Sequence, residues 1–379
     1  MAAATAQSRK TAQVRRLLIQ AVIVIAIMVI IWSTYTTAQT NLNALGITGG
    51  YAFLERATGW SYSFSLLPRS VDDTYLRTLT IGFINTLFLG SLCIVLSTVL
   101  GFVIGSIRDT SNLALQTIAS AYVQLFRNLP LILQLVFWYA VFIHLPGPRQ
   151  AHTLGDIAFF SNRGLMLPAL NLSGEIALIL LLGSILLGVI VLLVRISVAR
   201  ALVIWASGTA IAIAVCLLIF VPQGESIVSV PALKGLRFLG GMQMTIELVA
   251  MIVAIVLYSS AYIAEVVRGG LAEVPKGLIE AGQALGLSGR TIWSRIKLPM
   301  ALRSIVPPLG NQWIFVMKAT TIGVAIGFSD LFMIVSTSLT QTGQTLELIA
   351  ILMGCFLLIN FALAQLVDLI NRRMQLKAH

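Results

Sequence analysis

The chain has 379 residues, of which 58% are hydrophobic and only 10% charged. A soluble domain carries roughly 25% charged residues and could not hide so much apolar surface. An ordinary water-soluble enzyme, a disordered chain and a disulfide scaffold are thereby excluded, and the bilayer is the expected solvent. The net charge is +11, from 25 basic and 14 acidic residues. In a membrane protein such an excess is explained by retention of Lys and Arg on the cytoplasmic side, so no nucleic-acid partner is implied. Cys93, Cys216 and Cys355 sit in apolar runs with no CxxC pair and read as packing residues.

A helix needs about 20 mostly apolar residues to cross the hydrocarbon layer. Eight segments qualify. The first is Leu17 to Ala38, too long for a signal-peptide core and read as a span. The second is Thr78 to Ile107, and the third is Leu113 to Ile143, interrupted by Arg127-Asn128-Leu129-Pro130. The fourth and fifth, Ile176 to Val194 and Ala201 to Phe220, are joined by a short basic turn. The sixth is Met244 to Val267, the seventh and most polar Ile305 to Phe328, and the eighth Leu346 to Ile370. The fold expected is all-α, with eight spans. With the N-terminus placed in the cytoplasm, sixteen of the 25 basic residues fall on that side and seven opposite, with Arg127 and Lys318 inside spans. Both termini are therefore expected in the cytoplasm. In the outer connections Trp60, Tyr62, Phe64, Phe159 and Phe160 are candidate interfacial anchors.

The connection from Arg268 to Arg303 is more than a tether. Pro275 suits a first helical turn, and Leu278, Ala281, Gly282 and Leu285 follow at helical spacing. Gly286 stands where a left-handed C-cap residue is expected, and Ser288 is a reasonable N-cap for a second short helix. That helix would carry Ile292, Trp293 and Ile296 on one face and Arg290, Ser294 and Lys297 on another. Pro299 and Pro307-Pro308 would let the chain bend back into the membrane. From the residues alone, two readings stand: an amphipathic pair lying on lipid headgroups, or a knob inserted into a cytoplasmic partner.

Glu280-Ala281-Gly282, Gly286 and Ile296-Lys297-Leu298-Pro299 resemble the EAA loop of ABC-importer permeases, with Gly282 replacing the third small residue. Tyr262 to Gly270, Val274 to Gly277, Gly310-Asn311-Gln312-Trp313, Lys318 to Thr321 and Phe126 to Leu131 resemble the polar amino-acid uptake subfamily. The extra first span and the inserted fourth and fifth resemble its larger general L-amino-acid permeases, of the Aap or Bzt type. The resemblance implies a type I importer membrane domain at 78–371, with inserted spans at about 176–220 and a coupling loop at 268–303. Residues 1–77 would precede it, and 372–379 would form a basic cytoplasmic tail. It further implies a bacterial inner-membrane subunit working with two ATP-binding subunits, a related permease and a periplasmic amino-acid-binding protein. ATP and magnesium would belong to the partner ATPase, with no cofactor, metal or catalysis on this chain.

The same resemblance makes Glu280, Ala281, Gly282, Leu285, Gly286, Arg290, Ile296, Leu298 and Pro299 the expected docking residues. Polar residues inside spans are candidates for the transport pathway. Lys318, Asn311, Thr320 and Thr321 cluster in the seventh span; Gln243 and Glu247 sit near the outer end of the sixth; Asn85 and Thr86 lie early in the second. For Lys318 a structural partner, for Gln243 and Glu247 an interfacial position, and for Asn85 and Thr86 helix packing remain as alternatives. Arg127 could snorkel toward the cytoplasm. The competing class is a secondary transporter or other polytopic membrane protein, which would not need the coupling-loop spacing.

Overall fold

In the computed structural model the described residues are 2–44, 49–155, 157–194, 198–221, 224, 226–235 and 237–374. The expected basic turn at Arg195 and the end of the tail, Lys377 included, lie outside them. Helices α1 (Ala2–Ala44), α2 (Tyr75–Ile107), α5 (Gly174–Leu193), α6 (Val198–Phe220), α7 (Ile246–Ala272) and α12 (Thr345–Met374) occupy six of the eight expected spans. Each is long and apolar enough to cross a membrane.

In the other two expected spans the chain forms a helix pair bent at a break. The third consists of α3 (Leu113–Asn128) and α4 (Leu131–Ile143), bent by 101°. Pro130 forces this break, since it has no N–H to donate and pushes Leu129 into extended backbone. Gln134 seals it by donating its amide to the Phe126 and Leu129 carbonyls, both at 3.0 Å. The segment expected as the seventh span is α10 (Leu298–Ala319), followed by a 3-10 segment at Thr320–Ile326, a left-handed Gly327, and α11 (Leu331–Thr342), with a 48° bend. The sequence reading had not foreseen α11.

The core is the pair α2–α7. Ser97, Gly101 and Gly105 recur every four residues along α2 and are buried. A Cβ at Gly101 would lie 2.6 Å from the Ile263 Cβ, and one at Gly105 would lie 2.6 Å from the Ala264 carbonyl. Such a stripe of small residues lets two backbones approach without a side chain between them. Gly270 admits Ile305 of α10 and Gly310 admits Val367 of α12 in the same way. By contrast, the apolar part of α1 is exposed along its length, and α5 and α6 pack chiefly on each other. Their hairpin is held by a bond between the Ser184 and Thr209 hydroxyls and by the Trp205 indole N–H donating to the Ser184 carbonyl at 2.9 Å.

The chain is not wholly helical. Strands β1 (His152–Leu154), β2 (Ala158–Ser161) and β3 (Gly164–Leu167) form an antiparallel sheet with β8 (Met242–Met244), in the order β1-β2-β3-β8. Two-stranded pairs join β4 (Ala169–Leu170) to β5 (Val228–Ser229) and β6 (Ala232–Lys234) to β7 (Arg237–Leu239). These strands flank the α5–α6 hairpin in sequence and gather its two ends. The aromatics expected as interfacial anchors are partly absorbed into packing. Tyr62 is 5% exposed and joins Phe53 and Tyr75, while Phe64 stacks between Phe88 and Phe328. Phe160 sits edge-on to Phe142.

Candidate functional site

The connection between α7 and α10 folds as two short helices, α8 (Lys276–Ala284) and α9 (Gly289–Ile292). At the end of α8 the Leu287 N–H donates to the Gly282 carbonyl and the Gly286 N–H to that of Gln283, with Gly286 at φ +70°. This paired closure satisfies the last carbonyls and fixes where the chain turns. The Ser288 hydroxyl accepts from the Thr291 N–H and caps α9. The second helix does not end where the sequence suggested. It passes through a π turn at Trp293–Lys297 straight into α10, and Pro299 sits in the first turn of that helix instead of bending it.

The predicted apolar stripe on α8 divides. Gly282 is buried, and a Cβ there would lie 3.2 Å from both Ile292 and Ile296. Leu278, Ala281 and Leu285 face outward, with Leu285 79% exposed. Glu280 is exposed among them and makes no ion pair with Lys276 or any other described residue. Arg290 and Pro299 are exposed and Leu298 half-buried. Lys297, expected on the outward polar face, instead turns inward and pairs with Asp109 just beyond α2.

Near Asp109, three helices meet at one carboxylate. Glu265 of α7 is paired with Arg108 at the end of α2 and with Arg268 of α7. Arg127, in the last turn of α3, stands 3.8 Å from the same carboxylate. Its guanidinium lies over the Tyr262 ring at 5.0 Å, and the Tyr262 hydroxyl donates to the Arg127 carbonyl at 3.5 Å. Arg127 is thus turned onto α7. Arg108, Asp109 and Glu265 were not singled out from sequence, because their importance lies in residues more than 150 positions apart. The signal that could have found Glu265 was a lone acid in an otherwise apolar span.

The pathway candidates divide into exposed and committed groups. Lys318 and Asn311 are exposed on α10 with Phe315 between them at helical spacing, and Thr321 donates its hydroxyl to the Lys318 carbonyl. Glu247 is half-buried, and exposed Gln243 lies in β8, donating to the Arg163 carbonyl. The other three are committed. Asn85 is fully buried, donates to the Phe64 and Ser329 carbonyls, and accepts from the Leu66 N–H. Thr86 donates to the Gly82 carbonyl and accepts from the Leu331 N–H. Buried Thr320 donates to the Met317 carbonyl. These hydroxyls and this amide serve their own chain. Among the described residues no group of His, Cys, Asp and Glu could hold a metal ion.

A bundle of helices long and apolar enough to cross a membrane, with a capped, outward-turned helix pair between two of them, describes a polytopic membrane protein. The chain belongs to the family of binding-protein-dependent transport system inner membrane components, which it matches over residues 97–376. Proteins of this family are helical transport components of ABC importers and not themselves catalysts. The chain is 39% identical, over 95% of its length and 94% of the relative's, to the putative amino-acid ABC transporter permease protein YhdX of Escherichia coli K12. It is 33% identical to the general L-amino acid transport system permease protein AapQ of Rhizobium johnstonii, over 93% and 90% of the two chains. It is 29% identical, over 96% and 94%, to the glutamate/glutamine/aspartate/asparagine transport system permease protein BztB of Rhodobacter capsulatus.

Proposed function

We propose that this chain is the permease subunit of an ATP-driven amino-acid importer of the bacterial inner membrane, with eight spans and both termini in the cytoplasm. Two ATP-binding subunits receive α8, a second related permease completes the pathway, and a periplasmic binding protein supplies the amino acid. The observation that carries this is α8 itself: a helix capped at a fixed end, with Glu280, Ala281 and Leu285 turned outward and Glu280 in no ion pair among the described residues. A groove on an ATPase would take the apolar residues, while a donor at its rim would take the carboxylate. Closure of the ATPases on ATP then moves α8. That movement passes through Gly282 onto Ile292 and Ile296, and from there through the unbroken π turn into α10. The Lys297–Asp109 pair carries it to α2. Two ligand-biased states coupled in this way are what alternating access requires.

Lys318 and Asn311 face the pathway on α10, and Glu247 and Gln243 lie at its outer approach. Asn85, Thr86 and Thr320 shape the wall from behind. Reversing the docking charge tests the assignment. Glu280→Lys should leave the chain in the membrane with its partner permease, but lower ATP-driven amino-acid uptake in proteoliposomes about tenfold or more. Uptake equal to wild type would remove the docking role and favour the alternative, a loop resting on lipid.

A further inference from the structure

The exposed face of α10 and half-buried rings of α7 form one continuous wall. On α10, Asn311, Phe315 and Lys318 follow at helical spacing and are exposed. Phe315 stacks on Tyr258 of α7 with ring centres 5.7 Å apart, and Tyr258 contacts Tyr262 at 4.9 Å, its hydroxyl donating to that of Tyr262 at 3.3 Å. Below Tyr262 lies the Arg127 guanidinium. The wall thus runs from Lys318 past three aromatic rings to Arg127.

At its end the charges are unequal. Three guanidiniums share the Glu265 carboxylate, and two of them hold it directly. Arg127 is the third, at 3.8 Å, beyond hydrogen-bond reach. Among the described residues no hydrogen bond engages its fork, and its side chain is 39% exposed. The contact with the Tyr262 ring anchors the guanidinium without using any of its N–H groups. An oriented fork with unspent donors suits bidentate capture of a carboxylate.

We propose that Arg127 binds the α-carboxylate of the transported amino acid at the inner end of the pathway, with Tyr262 as its positioning residue. This rests on the permease reading above. Arrival of the solute carboxylate replaces the loose attraction to Glu265 with two direct hydrogen bonds. Arg108 and Arg268 keep Glu265 neutralised meanwhile.

The test uses the assembled complex of both permeases and the ATP-binding subunits, nucleotide-free and without the binding protein, whose own selectivity would mask the result. Binding of radiolabelled L-glutamine is competed with unlabelled L-glutamine and with its α-amide, which lacks the carboxylate charge. The wild-type complex should favour the acid about tenfold or more over the amide. Arg127→Gln should abolish that preference, Arg127→Lys should retain part of it, and Tyr262→Leu should weaken it. Each variant is accepted only if it elutes as the intact complex. An Arg127→Gln complex that keeps the preference overturns the proposal, as does a wild-type complex with none. So does an Arg127→Gln complex whose sole change is lost retention of phosphatidylglycerol, which would assign the fork to a lipid phosphate. Failure of the permease reading looks different: the wild-type complex, with its binding protein restored, would take up no amino acid on ATP.

Discussion

A polar residue inside an apolar span has two uses, to meet a solute or to pin the fold, and burial separates them. Asn85 spends its amide on Phe64 and Leu66, 21 and 19 residues before it, and on Ser329, 244 residues after it. It locks the loop before α2 and the turn before α11 onto one side chain. Its sequence position alone could not reveal this, because Asn85 shows the same residue type in the same apolar context whichever role it has. Asn85→Leu should strand two carbonyls and one N–H, each loss weighing about 1–3 kcal/mol. A thermal melt of the purified complex should show a lowered midpoint, with the order of preference among amino acids in uptake assays preserved. Altered preference without lost stability would place Asn85 on the pathway instead.

At the level of elements, legibility followed locality. The turn at Gly286 and the cap at Ser288 were readable because each is satisfied by neighbours within five residues. The bend at Pro130 was readable as an interruption, though not as 101°. Strands β1 to β8 were not readable: most have two or three residues, too short for alternation to register, and β3 finds β8 across the whole α5–α6 insertion. Helix α11 was hidden because the apolar run of the seventh span continues through Gly327, whose left-handed conformation ends one helix and allows the next. Gly286 offers the sharper test of an element. At φ +70° a β-branched side chain is strained by about 1–2 kcal/mol, and a helix that frays there loses the two closing bonds. Gly286→Val should lower recovery of the ATP-binding subunits with the tagged permease while recovery of the partner permease stays level. Parallel loss of both would point to general misfolding.

For the whole molecule, the question is which parts the transport core needs. The family match begins at residue 97, within α2, and runs to 376 across the α5–α6 hairpin. Yet that hairpin leaves and re-enters the core through adjoining points. Ala169 pairs with Ser229 and Leu170 with Val228 in antiparallel register, and the Asn171 N–H donates to the Ile227 carbonyl at 3.0 Å. The two cut ends are therefore already held as a ladder, and a tight Asn-Gly turn can close such a pair. Beyond those strands, the main packing of the hairpin's described residues is internal, with a small contact to α12. Replacing 172–226 by Asn-Gly should thus preserve α2, α7, α10 and α12 and their small-residue contacts. The shortened chain should still co-purify with its ATP-binding subunits, with a melting midpoint close to that of the full-length complex. A shortened chain that aggregates or loses its partners would show that α5 and α6 support the core from outside, by contacts with another subunit.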